Sequence, residues 1–386
     1  MPIVNRVADL HSEITAWRHD FHAHPELLYD VHRTAASVAE KLKSFGCDEV
    51  ATGIGRTGVV GVIRGRKTGG KVVGLRADMD ALPIEEETNL PYKSTVPGKM
   101  HACGHDGHTA MLLGAAKYLA DTRNFAGTAI VIFQPAEEGG AGARAMLKDG
   151  LLDRFGIEEV FGMHNYPGLP VGQFAITSGP VMASTDTIAI NLEGIGAHAA
   201  WPHAGVDTIL VGAQIVNQLQ SIVSRNVDPL EPVVISICMF QGGYTDNVIP
   251  QHVQLRGTAR SLSPVVRELL QKRVREIVEG TARLYGAKAD LTYTTGYPVL
   301  VNDEDKTQFA AAVAGEIAGK DKVQHCPPRM GAEDFAYMLQ ERPGAFIWLG
   351  NGDSAGLHHP AYNFNDAAIP VGTSYWVRLA EMALAS

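Results

Sequence analysis

Apolar positions along this chain change their period several times, and the changes mark out its elements. From Val4 to Phe21 and from Thr34 to Phe45 they recur with helical spacing, which predicts amphipathic helices. GVVGVIRG and KVVGLRADMD are compact apolar runs, rich in valine and flanked by glycine, the pattern of buried strands. Asp106 to Ala120 returns to the helical period. GTAIVIFQPAEE reads as a strand running straight into acidic residues, Ala143 to Phe155 as a helix and EEVFGMHN as a strand. Strands alternating with helices of this length predict an α/β unit with a mostly parallel sheet covered on both faces.

The rhythm changes near Pro180. DTIAINLEG reads as a strand, Val206 to Arg225 as a helix, PVVISICMF and HVQLRGTARS as strands, Pro264 to Tyr285 as a helix and ADLTYTTG as a strand. That βαββαβ order predicts an α+β unit with an antiparallel sheet. After Pro298 the helix–strand alternation resumes. The expected organisation is therefore a discontinuous first domain, residues 1–181 and 296–386, with a second domain, residues 182–295, inserted into it. A length of 386 residues agrees, being too long for one ordinary core.

Composition narrows the function. Hydrophobic residues make up 45% and charged residues 19%, a globular rather than a disordered balance. A formal charge of -9 without any basic run argues against a nucleic-acid partner. No run reaches the roughly 18 apolar residues of a membrane span. Asp9, His11 and Glu13 stand where a signal peptide needs an apolar core, so a cytoplasmic location is expected. Four scattered cysteines make no disulfide framework, which suits a reducing compartment.

Histidine and cysteine concentrate in MHACGHDGHTAM, and related side chains stand where strands of the first domain end. KVVGLRADMD ends in Asp78 and Asp80, AIVIFQPAEE in Glu137 and Glu138, and EVFGMHN in His164, while IWLGNGDSAGLHHP carries His358 and His359. Ligands of open α/β sheets bind outside the carboxyl ends of strands. Thiolate, imidazole and carboxylate together suit zinc or a similar divalent ion. Each residue alone has a plainer explanation: Cys103 as a small buried hydrophobe, His164 as a packing residue, the Glu pair as a solvated turn, Asp106 as a helix cap. Together they do not. Two adjacent carboxylates after a buried strand repel one another without a cation, and the pair permits one to bind a metal while the other serves as general base.

The pieces MHACGHDGHTAML, FQPAEEGGAGARAM, GMHN, GAHAAWPHAGVD, NVIPQHVQLRGTARS and GLHHPAYNFND resemble the amidohydrolase branch of the M20 metallopeptidases, in order and over essentially the whole chain. That branch includes hippurate hydrolases, N-acyl-amino-acid amidohydrolases and plant auxin-conjugate hydrolases. The resemblance implies two divalent ions (zinc, manganese, nickel or cobalt) held by Cys103, His105, Glu138, His164 and His358, with Cys103 bridging. It implies Glu137 as general base, His198 as an oxyanion donor, often to the partner subunit's site, and Asn247 and Arg260 as holders of the substrate carboxylate. With the site motifs, it implies that the first domain is the metal-binding catalytic domain and the second a lid or dimerisation domain. His358 is chosen over His359 by likeness to the family's LH-x-P. His101 is expected to pack beside the site, His108 to lie on the helix beyond it, and Asp80 and Asp106 to orient ligating histidines. Ile195 departs from the family pattern, in which a basic or small residue is common there.

The implied reaction is hydrolysis of an N-acyl amino acid by a homodimer, or a higher homo-oligomer, with no nucleic acid or membrane involved. A dipeptidase or carboxypeptidase with the same metals is the nearest rival. A non-catalytic metal-bearing binding protein is a second, against which the intact Glu137 speaks. A dinucleotide-dependent dehydrogenase is set aside, because no G-x-G-x-x-G follows the first strand.

Overall fold

The computed structural model describes residues 4–385. The chain forms two compact units, one from the described parts of Met1–Gly179, Val301–Pro327 and Asp334–Ser386, the other from Pro180–Leu300 and Pro328–Glu333. In chain order the main strands are β1 (Glu49–Ile54), β2 (Gly58–Arg64), β3 (Lys67–Asp78), β4 (Ala126–Gln134), β5 (Glu159–Pro167), β6 (Phe174–Ile176), β7 (Ser184–Glu193), β8 (Val233–Gly242), β9 (His252–Ser261), β10 (Lys288–Thr295), β11 (Val323–His325) and β12 (Gly344–Gly352). Strands β7 to β10 belong to the second unit.

The first unit carries an eight-stranded sheet in the order β1-β2-β4-β3-β5-β12-β6-β11. Its centre, β4-β3-β5-β12, is parallel, while the β1–β2 hairpin meets β4 antiparallel. Parallel strands present all their carboxyl ends at one edge, so Asp78 at the end of β3 and Gln134 at the end of β4 stand side by side in register. The helix His105–Thr122 packs its apolar side into the same core as Leu75, Val131 and Phe161. It is buried from His105 to Ala116, so its first turn is fixed in the protein interior.

Two helices come out shorter than their periodicity predicts. The first breaks at Leu10 into Asn5–Asp9 and His11–Ala23. The stretch from Ala143 to Phe155 becomes Gly142–Lys148 and Leu151–Arg154, because Gly150 between them takes a left-handed conformation with φ 80°.

The second unit is a βαββαβ fold whose four strands lie antiparallel in the order β8-β9-β7-β10. Buried and exposed residues alternate along β7, and Ile188, Ile190 and Leu192 meet the helices Thr208–Arg225 and Pro264–Leu284 in one core. Asp207 and Ser263 cap those helices, and Pro264 sits in the first turn of the second. The short ribbon of Ala197–His198 with Val248–Ile249, and the strip Pro328–Glu333 that joins this unit, are absent from the sequence reading. Edge strand β8 exposes Met239 and Phe240. No helix among the described residues is long and apolar enough to cross a membrane.

Candidate metal centre

Cys103 and His105 enter the site through a turn that only glycine fits. Gly104 caps the following helix at φ 92°, a left-handed conformation. A Cβ there would collide with Asn165 Nδ2 and stand 2.6 Å from the Tyr362 hydroxyl. The close approach has a purpose, since Asn165 Nδ2 donates to the Cys103 carbonyl at 2.6 Å.

Three buried histidines crowd this corner, and their hydrogen bonds separate their roles. His105 Nδ1 donates to the Asp80 carbonyl at 2.7 Å, which leaves Nε2 as the ring atom without a hydrogen-bond partner. His164 Nδ1 donates to the Asn165 carbonyl at 2.7 Å, and its Nε2 faces Cys103 Sγ at 3.4 Å. His108 differs. Its Nδ1 donates to Asp78 Oδ1 at 2.7 Å and its Nε2 accepts from the Asn165 amide at 2.9 Å, so neither nitrogen is open. Its ring lies 4.5 Å from that of His164. His108 is therefore part of the wall of the site and not beyond it, as its place on the helix suggested.

The acidic pair is held by its backbone. Asp80 accepts the amides of Glu137 (2.9 Å) and Glu138 (3.1 Å) through its two carboxylate oxygens. Glu138 Oε1 lies 3.2 Å from His358 Nε2 and 3.9 Å from His105 Nε2. His358 adopts φ 65°, and its amide donates to the Ala102 carbonyl at 2.8 Å, which ties this loop to the cysteine turn. His359 is turned to another task, accepting the Ala361 amide on Nδ1. One ligand atom each from Cys103, His105 and His164 lies within 4.8 Å of the others, and the same holds for Cys103, Glu138 and His358, and for His105, Glu137 and Glu138. Cys103 is the residue shared by the first two groups.

The donors fit a cation. His105 Nε2 and Glu138 Oε1 are both buried without an aligned hydrogen-bond partner, an arrangement that is costly unless something positive sits there. Two donors at about 2.0–2.3 Å from a tetrahedral ion stand roughly 3.3–3.7 Å apart, close to the 3.2, 3.4 and 3.9 Å separations here. Electrostatics agree. Burial pushes the Cys103 thiol well up, and the charges of Glu138, Glu137 and Asp78 push it further. Burial would lower His105, but the negative charge of Asp78 and Asp80 overrides it and raises it to about 10. The site is a well of negative charge.

Of the two expected orienters, Asp80 supports His105 through its main-chain oxygen, its carboxylate being taken by the Glu137–Glu138 turn. Asp106 turns away from the donors. It binds Arg18 Nε (2.9 Å) and His22 Nδ1 (2.8 Å) in a fully buried group. The carboxylate that faces the histidines is Asp78, 3.6 Å from His105 Nε2. His101 is wholly buried, and burial lowers it to about 3, so it packs as a neutral ring. The second unit carries His198, Asn247 and Arg260. His198 is exposed on the short ribbon, its Nδ1 accepting from Ala200 N at 3.1 Å and its ring 4.8 Å from that of Trp201. Asn247 is the turn residue just before the ribbon strand Val248–Ile249, and its carbonyl accepts the Ala199 amide. Arg260 is half-buried on β9, paired with Thr185.

A parallel α/β sheet with thiol, imidazole and carboxylate donors gathered at its carboxyl edge is the architecture of a metal-binding hydrolase. The chain belongs to peptidase family M20/M25/M40, whose family model matches residues 74–382. It is 41% identical to the hippurate hydrolase of Campylobacter jejuni, over 98% of this chain and 99% of that one. It is 41% identical to thermostable carboxypeptidase 1 of Saccharolobus solfataricus, over 91% of this chain and 90% of that one. Among solved structures, YXEP of Bacillus subtilis, a dinuclear metal binding peptidase from the M20 family, superposes with a TM-score of 0.86 at 36% identity, covering 98% of this chain and 99% of that one.

Proposed function

We propose that the chain is a metal-dependent amidohydrolase that splits N-acyl amino acids into a carboxylic acid and a free amino acid. The observation that carries the reading is the cluster of buried donor atoms, His105 Nε2 and Glu138 Oε1 among them without an aligned hydrogen bond, beside the Glu137 carboxylate. Cys103, His105, Glu138, His164 and His358 would hold two divalent ions, with zinc, manganese, nickel and cobalt all compatible with this donor mix. Bound there, the ions would polarise the amide carbonyl and acidify a water molecule. Glu137 takes the proton from that water and returns it to the leaving amine. His198 donates to the developing oxyanion. Arg260, with Asn247, grips the free carboxylate of the amino-acid end, a task suited to a guanidinium fork.

The hippurate hydrolase supports an acyl amino acid as substrate, and the carboxypeptidase supports a peptide. A screen of N-acetyl and N-benzoyl amino acids against free dipeptides, with each divalent ion, separates the two. Turnover of the acyl amino acids at least tenfold above dipeptides is expected. Preference for dipeptides would replace this reading by the peptidase one.

The second unit is proposed to pair two chains through edge strand β8, where Met239 and Phe240 are exposed on an unpaired strand edge. His198 would then serve the partner's metals. Mixing His198→Ala chains with Glu137→Gln chains should restore activity, because one site of each mixed dimer is free of both lesions. Mixtures that exchange subunits and stay inactive would exclude catalysis across the interface.

A further inference from the structure

Glu137 has a neighbour that the proposed reaction does not use. Arg76, Asp78 and Asp334 are wholly buried. Arg76 donates from Nε to Gln134 Oε1 (2.9 Å), from Nη1 to Asp78 Oδ2 (2.7 Å) and from Nη2 to Asp334 Oδ1 (3.1 Å). Gln134 Nε2 donates to both Asp334 oxygens, at 2.8 and 3.0 Å, and the Ala143 amide adds a bond to Oδ2 at 2.9 Å. Three different elements thus grip one carboxylate: β3, β4 and the helix Gly142–Lys148.

Asp334 is thus held on both of its carboxylate oxygens. Its amide faces Glu137 Oε1 at 3.4 Å. That is long for a hydrogen bond, but catalytic contacts commonly tighten only when substrate binds. Stability alone is a poor reason for such a cluster. Buried ion pairs are often replaceable by apolar groups of similar volume at no loss. What apolar packing cannot supply is a defined direction for one N–H.

We infer that Asp334 is a positioning residue for Glu137: its clamped side chain helps to aim its backbone N–H at Oε1 and so fixes the orientation of the carboxylate that takes the proton. The inference rests on the reading of Glu137 as the base. The same cluster reaches the donors from the other side, since Asp78 Oδ1 holds His108 and His108 holds the Asn165 amide. Arg76 is therefore the joint between the histidine wall and the base.

The test uses Asp334→Asn, which keeps the size and one acceptor oxygen but loses the charge that holds Arg76. Ion content, KM and kcat are measured on the metal-loaded protein, alone and in the Glu137→Gln background. Misplacement of a catalytic group by a fraction of an ångström to 1 Å costs roughly ten- to a hundredfold in rate. A fall in kcat of that size is expected, with KM and ion content unchanged. In the Glu137→Gln background the second substitution should cost nothing further, because the group it positions is already gone. Should Asp334→Asn fail to fold, Arg76→Lys, which keeps the charge and loses the fork, gives the same comparison. Normal kcat, loss of ions, or an equal drop in both backgrounds would each overturn the inference. A fully active Glu137→Gln protein would instead overturn the base reading itself.

Discussion

Glu137→Gln is expected to keep both ions and to lower kcat about 10²–10⁴-fold, the usual contribution of a positioned base. The expectation follows from the different surroundings of the two adjacent glutamates. Glu138 Oε1 stands 3.2 Å from His358 Nε2 and shares a donor group with Cys103. Glu137 shares its group with His105 and Glu138, while its Oε1 is faced by the Asp334 amide. Both turn amides are held by Asp80, so an amide side chain at either position leaves the backbone where it was. Glu138→Gln should therefore behave in the opposite way, losing ions first and turnover as a consequence. Metal analysis after dialysis, together with single-turnover rates, distinguishes the two. Near-normal turnover by metal-loaded Glu137→Gln would sink the assignment.

What could be read from the sequence was the chemistry carried by short local patterns. MHACGHDGHTAM and QPAEE bring several donors within a few residues of one another, and strand periodicity says that they sit at sheet ends. The βαββαβ order was visible because short apolar strand runs, cleanly alternating in β7, flank two helices capped at Asp207 and Ser263. What could not be read depends on groups distant in sequence. Arg76 looked like one polar residue in a valine-rich strand, and its partner Asp334 lies 258 residues away. The family pattern excluded His108 from the ligands, but its place in the wall of the site could not be read from its position on a helix. The Asn165 amide on its second nitrogen gives the physical reason why it stays out of the ligand set. Asp106 had the right spacing to orient a histidine, but Arg18, from an early helix, claims it. Gly150 ends a helix whose apolar period continues past it, a case of backbone conformation overriding pattern.

Cys103→Ala is expected to weaken both ions together, by well over the roughly 10–100-fold that loss of an outer hydrogen-bond partner costs. The residue contributes to two donor groups at once, with His105 and His164 on one side and with Glu138 and His358 on the other. A site lacking any one of the other four keeps one complete group. A site lacking Cys103 keeps neither of these two groups and is left with the set of His105, Glu137 and Glu138. The cysteine also sets how metal uptake responds to pH. In the metal-free protein, burial and the neighbouring carboxylates hold its thiol well above the ordinary cysteine value, so it is protonated at neutral pH. His105, raised to about 10 by Asp78 and Asp80 against the effect of burial, carries a proton as well. Both protons must leave before these atoms can bind an ion. Affinity therefore increases with pH below those values and falls as pH drops, by about tenfold per unit for each proton released. His358, raised by its hydrogen bond to Glu138, also gives up proton charge. Uptake of two ions by the wild-type chain between pH 6 and 8 should therefore release about one proton more than uptake by Cys103→Ala. Titration calorimetry in buffers of different ionisation enthalpy counts them. Equal proton release by the two proteins, or tight binding of both ions by Cys103→Ala, would show that the thiolate does not bridge.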